Sequence, residues 1–222
     1  MEFKMYEKLQ QLPLFQGLSI NELSYILGRI KLDFNRHDYS SILAVQGDSI
    51  KKLSYVLEGM VVVRNKSKNG HFLIEEFINE IHLIEPYNLF GMWQRYDFSY
   101  SLESGGYTLD IDKRFFCDIM MEMNVVRMNM LNMMSHRLQN NSISLRQHEP
   151  CNVTEKFTRF IRNNCLKLSG KKILYAKMDD IANILSESRL NLSRALNSLA
   201  DMDIVELRRM EVVIPDITKL IK

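Results

Sequence analysis

Apolar positions change rhythm three times along the chain. In "GLSINELSYIL", residues 17–27, Ser19 stands at an N-cap position and Glu22 three residues later, a capping box, with Leu18 and Leu23 at the two staple positions. The pattern predicts a short helix ending near Arg29. From Lys31 to about Asp110 the apolar runs shorten: "SSILAV", "LSYVLEGMVVVRN", "FLIEEFI", "IHLIE", "SYSLES" and "GYTLDI", separated by "QGDS", "KSKNG", "EPYN" and "SGG". Short strands between turn residues predict an antiparallel roll or barrel. Asn69-Gly70 in "SKNGHF" marks a hairpin. Gly59, inside a strand pattern, predicts a bend or bulge.

Residues 112–149 contain no Gly and no Pro and read as a shorter helix followed by a long one, with a break near Asn124. In the long helix Leu131, Met134, Leu138, Asn141 and Leu145 alternate at spacings of three and four, an a/d seam with Asn141 as the polar member that fixes register. The stripe reads as a subunit interface or as a face buried within its own domain. The first is preferred, because the helix is long for so small a domain to cover. Pro150 ends it, and "EPCN" is a short hinge. "VTEKFTRFIRNNCLKL" then predicts a helix with Phe157, Phe160, Ile161 and Cys165 on its inner face, "GKKILYAK" a strand, and "IVELRR" with "EVVIP" a small hairpin. The expected fold is α+β: an N-terminal antiparallel, jelly-roll-like β-roll over 1–111, connecting and dimerisation helices over 112–149, and a C-terminal winged helix-turn-helix over 150–222.

Composition fits this picture. The 222 residues are 46% hydrophobic and 25% charged, with a net charge of +2, as expected of a globular chain with a real core. The charge is uneven: residues 153–222 hold 13 Lys plus Arg against 9 Asp plus Glu. A basic end on a mildly acidic body points to a polyanionic partner. Cys117, Cys151 and Cys165 are isolated and odd in number, which argues against a disulfide framework and for a reducing compartment. "MEFKMYEKLQ" lacks the apolar core of a signal peptide, and no stretch approaches the roughly 18 apolar residues that span a bilayer. The expectation is a cytoplasmic protein with no membrane partner.

The candidate chemistry lies in "MDDIANILSESRLNLSRALNSLADM", read as two helices with a tight break at Ser186 and Glu187. Asp179 is expected to cap the first, which carries Ile181, Ala182, Ile184 and Leu185. Ser188 is expected to cap the second, whose inner stripe is Leu192, Ala195, Leu196 and Leu199. That leaves Arg189, Asn191, Ser193, Arg194 and Asn197 outside or on the flank, donors without a negative charge among them. An anion facing this helix meets positive side chains and the positive end of the helix dipole. Such a helix enters the major groove of duplex DNA, where arginine pairs with guanine and asparagine with adenine. Taken alone, the helix reads first as an ordinary amphipathic one with a solvated basic face, since such faces are common. The preceding helix, the tight break and the following hairpin favour double-stranded DNA.

At these residues the sequence resembles the Crp/Fnr family of bacterial transcription regulators. "DIANIL", "LSRALNSL" and "IVELRR" are similar to its winged helix, "LPLFQGLSINEL" to its opening helix, and "QGD", "YVLEGMVVV" and "EPYNLFG" fall in the order of turns in its cyclic-nucleotide-binding roll. The resemblance covers nearly the whole chain. It implies a homodimer that reads DNA through Ser188, Arg189 and Arg194, with the wing arginines Arg208 and Arg209 on phosphates, and that works with RNA polymerase. The family's glutamate after the first arginine is Leu190 here, and its turn glycine is Ser186. The wing turn "RRME" also lacks glycine.

The resemblance also implies a nucleotide cassette, matched to "FGMWQRYDFSYS": Gly91 is present, but Met92 and Trp93 replace the ribose-holding glutamate and its neighbour, and Phe98 or Ser99 the phosphate-binding arginine. Arg95 is the one cation on this loop. An enclosed phosphate without a cation is costly to desolvate, so cyclic AMP is not expected to bind in the usual way, and the effector is another small molecule or none. An iron–sulfur cluster needs four thiolates, which three scattered cysteines do not supply. Haem is not expected from His37, His71, His82, His136 or His148. Seven of the 14 methionines lie between Met120 and Met134, as adaptable packing. No catalytic motif is evident, so no enzyme is expected. The alternative function is a ligand-sensing scaffold without DNA binding.

Overall fold

Helix α1, Ile20–Arg29, begins where its caps place it. The Ser19 hydroxyl accepts from the Glu22 amide at 3.3 Å while the Glu22 carboxylate accepts from the Ser19 amide at 2.8 Å, and the staple residues Leu18 and Leu23 are both buried. The computed structural model describes residues 7–29, 32–145 and 149–221, without the side chains of 143–145.

Among the described residues, eight strands follow the short-run texture. β1 (Asp33–His37), β3 (Lys52–Glu58), β6 (His82–Ile84) and β8 (Gly106–Asp112) form one antiparallel sheet in the order β1-β8-β3-β6. Its two faces differ by the period of two. Leu53 and Tyr55, opposite Ile111 and Leu109, meet the N-terminal segment, where the Tyr55 hydroxyl accepts from the Leu14 amide at 3.2 Å. Ser54 and Val56 share the other face with Thr108, Asp110 and His82. His82 stacks on Tyr100 of the second sheet, ring centroids 6.1 Å apart.

That second sheet holds β2 (Ser41–Ala44), β7 (Ser99–Leu102), β4 (Val61–Lys66) and β5 (Phe72–Ile78). The Asn69-Gly70 hairpin joins β4 to β5, with Gly70 at φ +71°. Gly59, between β3 and β4, has φ +112°, and a Cβ there would lie 2.3 Å from the Gly105 carbonyl oxygen. The predicted bend is therefore a close backbone crossing that tolerates no side chain.

The helices after β8 are α2 (Lys113–Asp118), a 3-10 turn (Met120–Glu122) and α3 (Asn124–Leu145), with the break where expected. Val126 and Met130 are buried and Met134 packs on the same core, so one face of α3 covers the roll. α4 (Val153–Asn164) is capped by Asn152. Then come β9 (Lys172–Ala176), α5 (Met178–Leu185), α6 (Arg189–Asp201), β10 (Glu206–Arg208), β11 (Glu211–Ile214) and α7 (Ile217–Leu220).

The C-terminal sheet is not separate from the roll. β9 pairs with β5, Phe72 opposite Ala176 through Glu76 opposite Lys172, so one seven-stranded sheet runs β10-β11-β9-β5-β4-β7-β2. Ile74 of β5 belongs to the C-terminal core with Phe157, Leu174 and Leu192, and Phe72 meets Phe160 edge-on at 5.0 Å. At the seam Lys172 Nζ lies 2.8 Å from Glu76 Oε2, both side chains 1% exposed. Glu76 also accepts from the Leu166 and Lys167 amides at 2.5 and 3.1 Å, and Lys172 donates to the Ser169 carbonyl at 2.9 Å. The pair is hydrogen-bonded on both sides, as a buried ion pair requires.

Candidate nucleic-acid interface

α5 packs Ile181, Ala182 and Leu185 inward, while Ile184 stays largely exposed. The residue flanking its start is Lys177, whose side chain makes no capping hydrogen bond. Asp179, expected to cap α5, lies inside its first turn and faces Arg189 at 3.5 Å. Ser186 ends the helix with φ +54° and ψ +46°, its amide reaching the Ala182 and Asn183 carbonyls. It takes the left-handed conformation usually left to glycine. Ser188 caps α6, its hydroxyl accepting from the Asn191 amide at 3.1 Å. Lys156 of α4 holds Glu187 at 2.6 Å, which pins the turn and neutralises the carboxylate beside it.

Leu192, Leu196 and Leu199 are fully buried and Ala195 half-buried, as the stripe predicted. The rotation exposes Ser188, Arg189, Leu190, Asn191, Arg194 and Asn197, with Ser193 half-buried on the flank. Arg189 is 70% exposed, so its contact with Asp179 is a surface pair of little strength. Among the described residues no carboxylate pairs with Arg194 or Arg209. In the wing, Arg208 bonds Glu206 at 2.9 Å and approaches Glu211 at 3.5 Å. Met210 turns the hairpin at φ +58°. A cavity of about 300 Å³ between wing and helix pair is edged by Arg189 and Arg208. The result is one surface of exposed donors at the start of α6, flanked by the wing.

The expected cassette runs from the loop after β6 into β7. Gly91, Met92, Trp93 and Arg95 are exposed. Arg95 donates to the Gly47 carbonyl at 2.7 Å and lies over the Trp93 ring. The Ser99 hydroxyl accepts from the Gln46 amide. Gly91, Met92, Trp93 and Arg95 thus lie on an outer loop, and Ser99 opens β7. Glu85, unmarked in the sequence reading, is the buried carboxylate of this region. It accepts from the Asp97 and Phe98 amides at 2.7 and 2.9 Å, from Asn88 at 2.9 Å and from the Tyr100 hydroxyl at 3.0 Å. Burial raises its pKa, against the lowering by the Asp97, Asn88 and Phe98 hydrogen bonds. Its signal was the "IEPYN" turn, where Glu85 takes φ +36°.

On α3, Leu131 and Leu138 are 52% and 69% exposed. Met134 and Asn141 turn instead toward a cleft facing the C-terminal domain. The side chain of Leu145 and all of His148 lie outside the described residues. The exposed apolar edge is thus Met128, Leu131 and Leu138, rotated slightly from the predicted seam. His37 bonds Thr108, His71 bonds Asp180 and His136 bonds Asn140. Among the described residues no cluster of three metal-ligating side chains occurs, and no helix is long and apolar enough to cross a membrane.

No protein-family model matches the sequence, and no curated protein matches it. Solved structures do. A putative transcriptional regulator of the crp/fnr family from Eubacterium rectale is 18% identical, over 94% of this chain and 96% of that one, with a TM-score of 0.54. The Thermus thermophilus catabolite activator protein is 18% identical over 94% and 96%, with a TM-score of 0.52. The c-di-GMP-responsive global regulator CLP of Xanthomonas campestris is 13% identical over 89% and 99%, with a TM-score of 0.51. At these identities the likeness is one of architecture: this chain has the fold of the Crp/Fnr-type regulators, roll, long helix and winged helix together.

Proposed function

We propose that the chain is a sequence-specific DNA-binding transcription regulator of the Crp/Fnr family, acting as a homodimer in the cytoplasm together with RNA polymerase. The observation that carries this is the Ser188-capped start of α6, where Arg189, Asn191, Arg194 and Asn197 are exposed together, Glu187 is already held by Lys156, and Asp179 meets Arg189 only in an exposed surface pair. Arg189 and Arg194 read guanine edges or contact phosphate, and Arg208 and Arg209 grip the backbone. Exposed Leu190 offers a base only an apolar contact, which suits a thymine methyl group. Two copies joined along α3 place their α6 helices in successive major grooves, roughly 34 Å apart, on a near-palindromic site.

Cyclic AMP is not the effector in this reading. Glu85, the buried carboxylate beside the cassette, is already engaged by four donors, and Arg95 lies on the outer loop. Calorimetry with cyclic AMP is expected to show no heat, and micromolar binding would contradict this part of the account. The DNA-binding reading is tested by selecting genomic fragments with the purified protein and footprinting those retained. Two protected, symmetry-related half-sites are expected. Retention of every fragment alike, with no footprint, would remove the proposal.

A further inference from the structure

We infer a second ligand site, outside both the Gly91–Ser99 loop and the DNA-facing surface. It is a cleft of about 1040 Å³ where the roll, α3 and the C-terminal domain meet. His82 Nε2, Tyr87 Oη and Arg162 Nε are buried without a hydrogen-bond partner, and all three residues line this cleft. Among the described residues one other side-chain atom, Asp110 Oδ1, is in that condition. Buried polar groups are normally satisfied, and three orphans around one cavity point to an absent partner.

The lining states the partner's chemistry. Arg137 and Arg162 bring positive charge to the cleft, while Lys167 at its edge is paired with Glu80, and the Arg137 guanidinium lies 4.5 Å from the centre of the Tyr87 ring. The one carboxylate among the lining residues, Glu85, already holds its four donors. Leu83, Met133, Met134 and Leu166 supply apolar wall. The cleft therefore takes an organic anion, a carboxylate or sulfonate on an apolar body. Its acid group meets Arg162, Arg137 and the Tyr87 hydroxyl, and its body lies on the methionines. The volume falls at the upper end of the range for small-molecule sites. Because Arg162 and Lys167 belong to the C-terminal domain while Tyr87 and Arg137 do not, an occupant favours the docked arrangement of the two. That effector role rests on the function proposed above; binding itself does not, and it is measured without DNA.

The experiment titrates the full chain with 8-anilinonaphthalene-1-sulfonate, followed by fluorescence, with octanoate and 1-octanol as displacing probes. Saturable binding of one dye per chain is expected, displaced by octanoate but at least about tenfold less well by octanol, since a charge-assisted hydrogen bond is at stake. Arg162→Gln and Arg137→Gln are each expected to weaken dye binding about tenfold, with thermal melting confirming that each variant is folded. Lys113→Gln, on α2, is expected to leave it unchanged. Equal displacement by octanol, non-saturable dye binding, or unchanged affinity in both arginine variants would overturn the site.

Discussion

Ser186 holds the turn between α5 and α6 at φ +54°, a left-handed conformation that costs a residue with a Cβ roughly 1–2 kcal/mol. Ser186→Gly is therefore expected to stabilise the protein, by about 1 kcal/mol after the added flexibility of the unfolded chain is counted. Urea unfolding checks the sign; a destabilised variant would mean the serine side chain does something its contacts do not reveal. His82 gives a pH-dependent case. Burial, with the Lys167 charge second, lowers its pKa from 6.5 to about 4. A depressed histidine contributes stability that is full above its unfolded pKa and lost as pH falls toward the folded value. Between pH 7 and pH 4.5 the protein is thus expected to lose about 2–3 kcal/mol more than a His82→Phe variant, which keeps a ring against Tyr100. Equal losses would show that His82 does not titrate as its burial requires.

Elements built from local signals were legible in the sequence. Ser19 with Glu22, Ser188 with its leucine stripe, and Asn69-Gly70 each act within a few residues, and each appears where the spacing put it. The β5–β9 pairing was not legible. It joins strands about a hundred residues apart, and its central charges, Lys172 and Glu76, read in a sequence as solvated strand positions. Once paired they are buried, and removing one partner strands the other. Lys172→Met is expected to cost about 3–5 kcal/mol, and adding Glu76→Gln to recover part of the loss, because glutamine still accepts one of the two amides. Calorimetric melting reads both variants; a double variant no better than the single would contradict the ion-pair account. The α3 seam was legible in outline only. Apolar residues surround the helix, and which of them face the roll is decided by packing: Val126, Met130 and Met134 are taken, leaving Met128, Leu131 and Leu138 exposed. Leu138→Glu is expected to shift the proposed dimer to monomer in sedimentation analysis while the fold is retained, as a charge in an a/d seam would.

Over the whole molecule the shared sheet makes the roll and the winged helix mechanically continuous, with the interdomain cleft beside the joint. Of the cassette residues, Gly91, Met92, Trp93 and Arg95 are exposed, and the buried acid of the region, Glu85, sits in the preceding turn. Neither point alters the surface on α6. The most direct measurement of the central claim is the affinity of Arg189→Ala and Arg194→Ala for a footprinted site and for unrelated duplex, at matched salt. Each base-pairing arginine is expected to account for about 1–3 kcal/mol of the preference for the specific site, with dimerisation unchanged. Unaltered discrimination in both variants would mean that this helix does not read DNA.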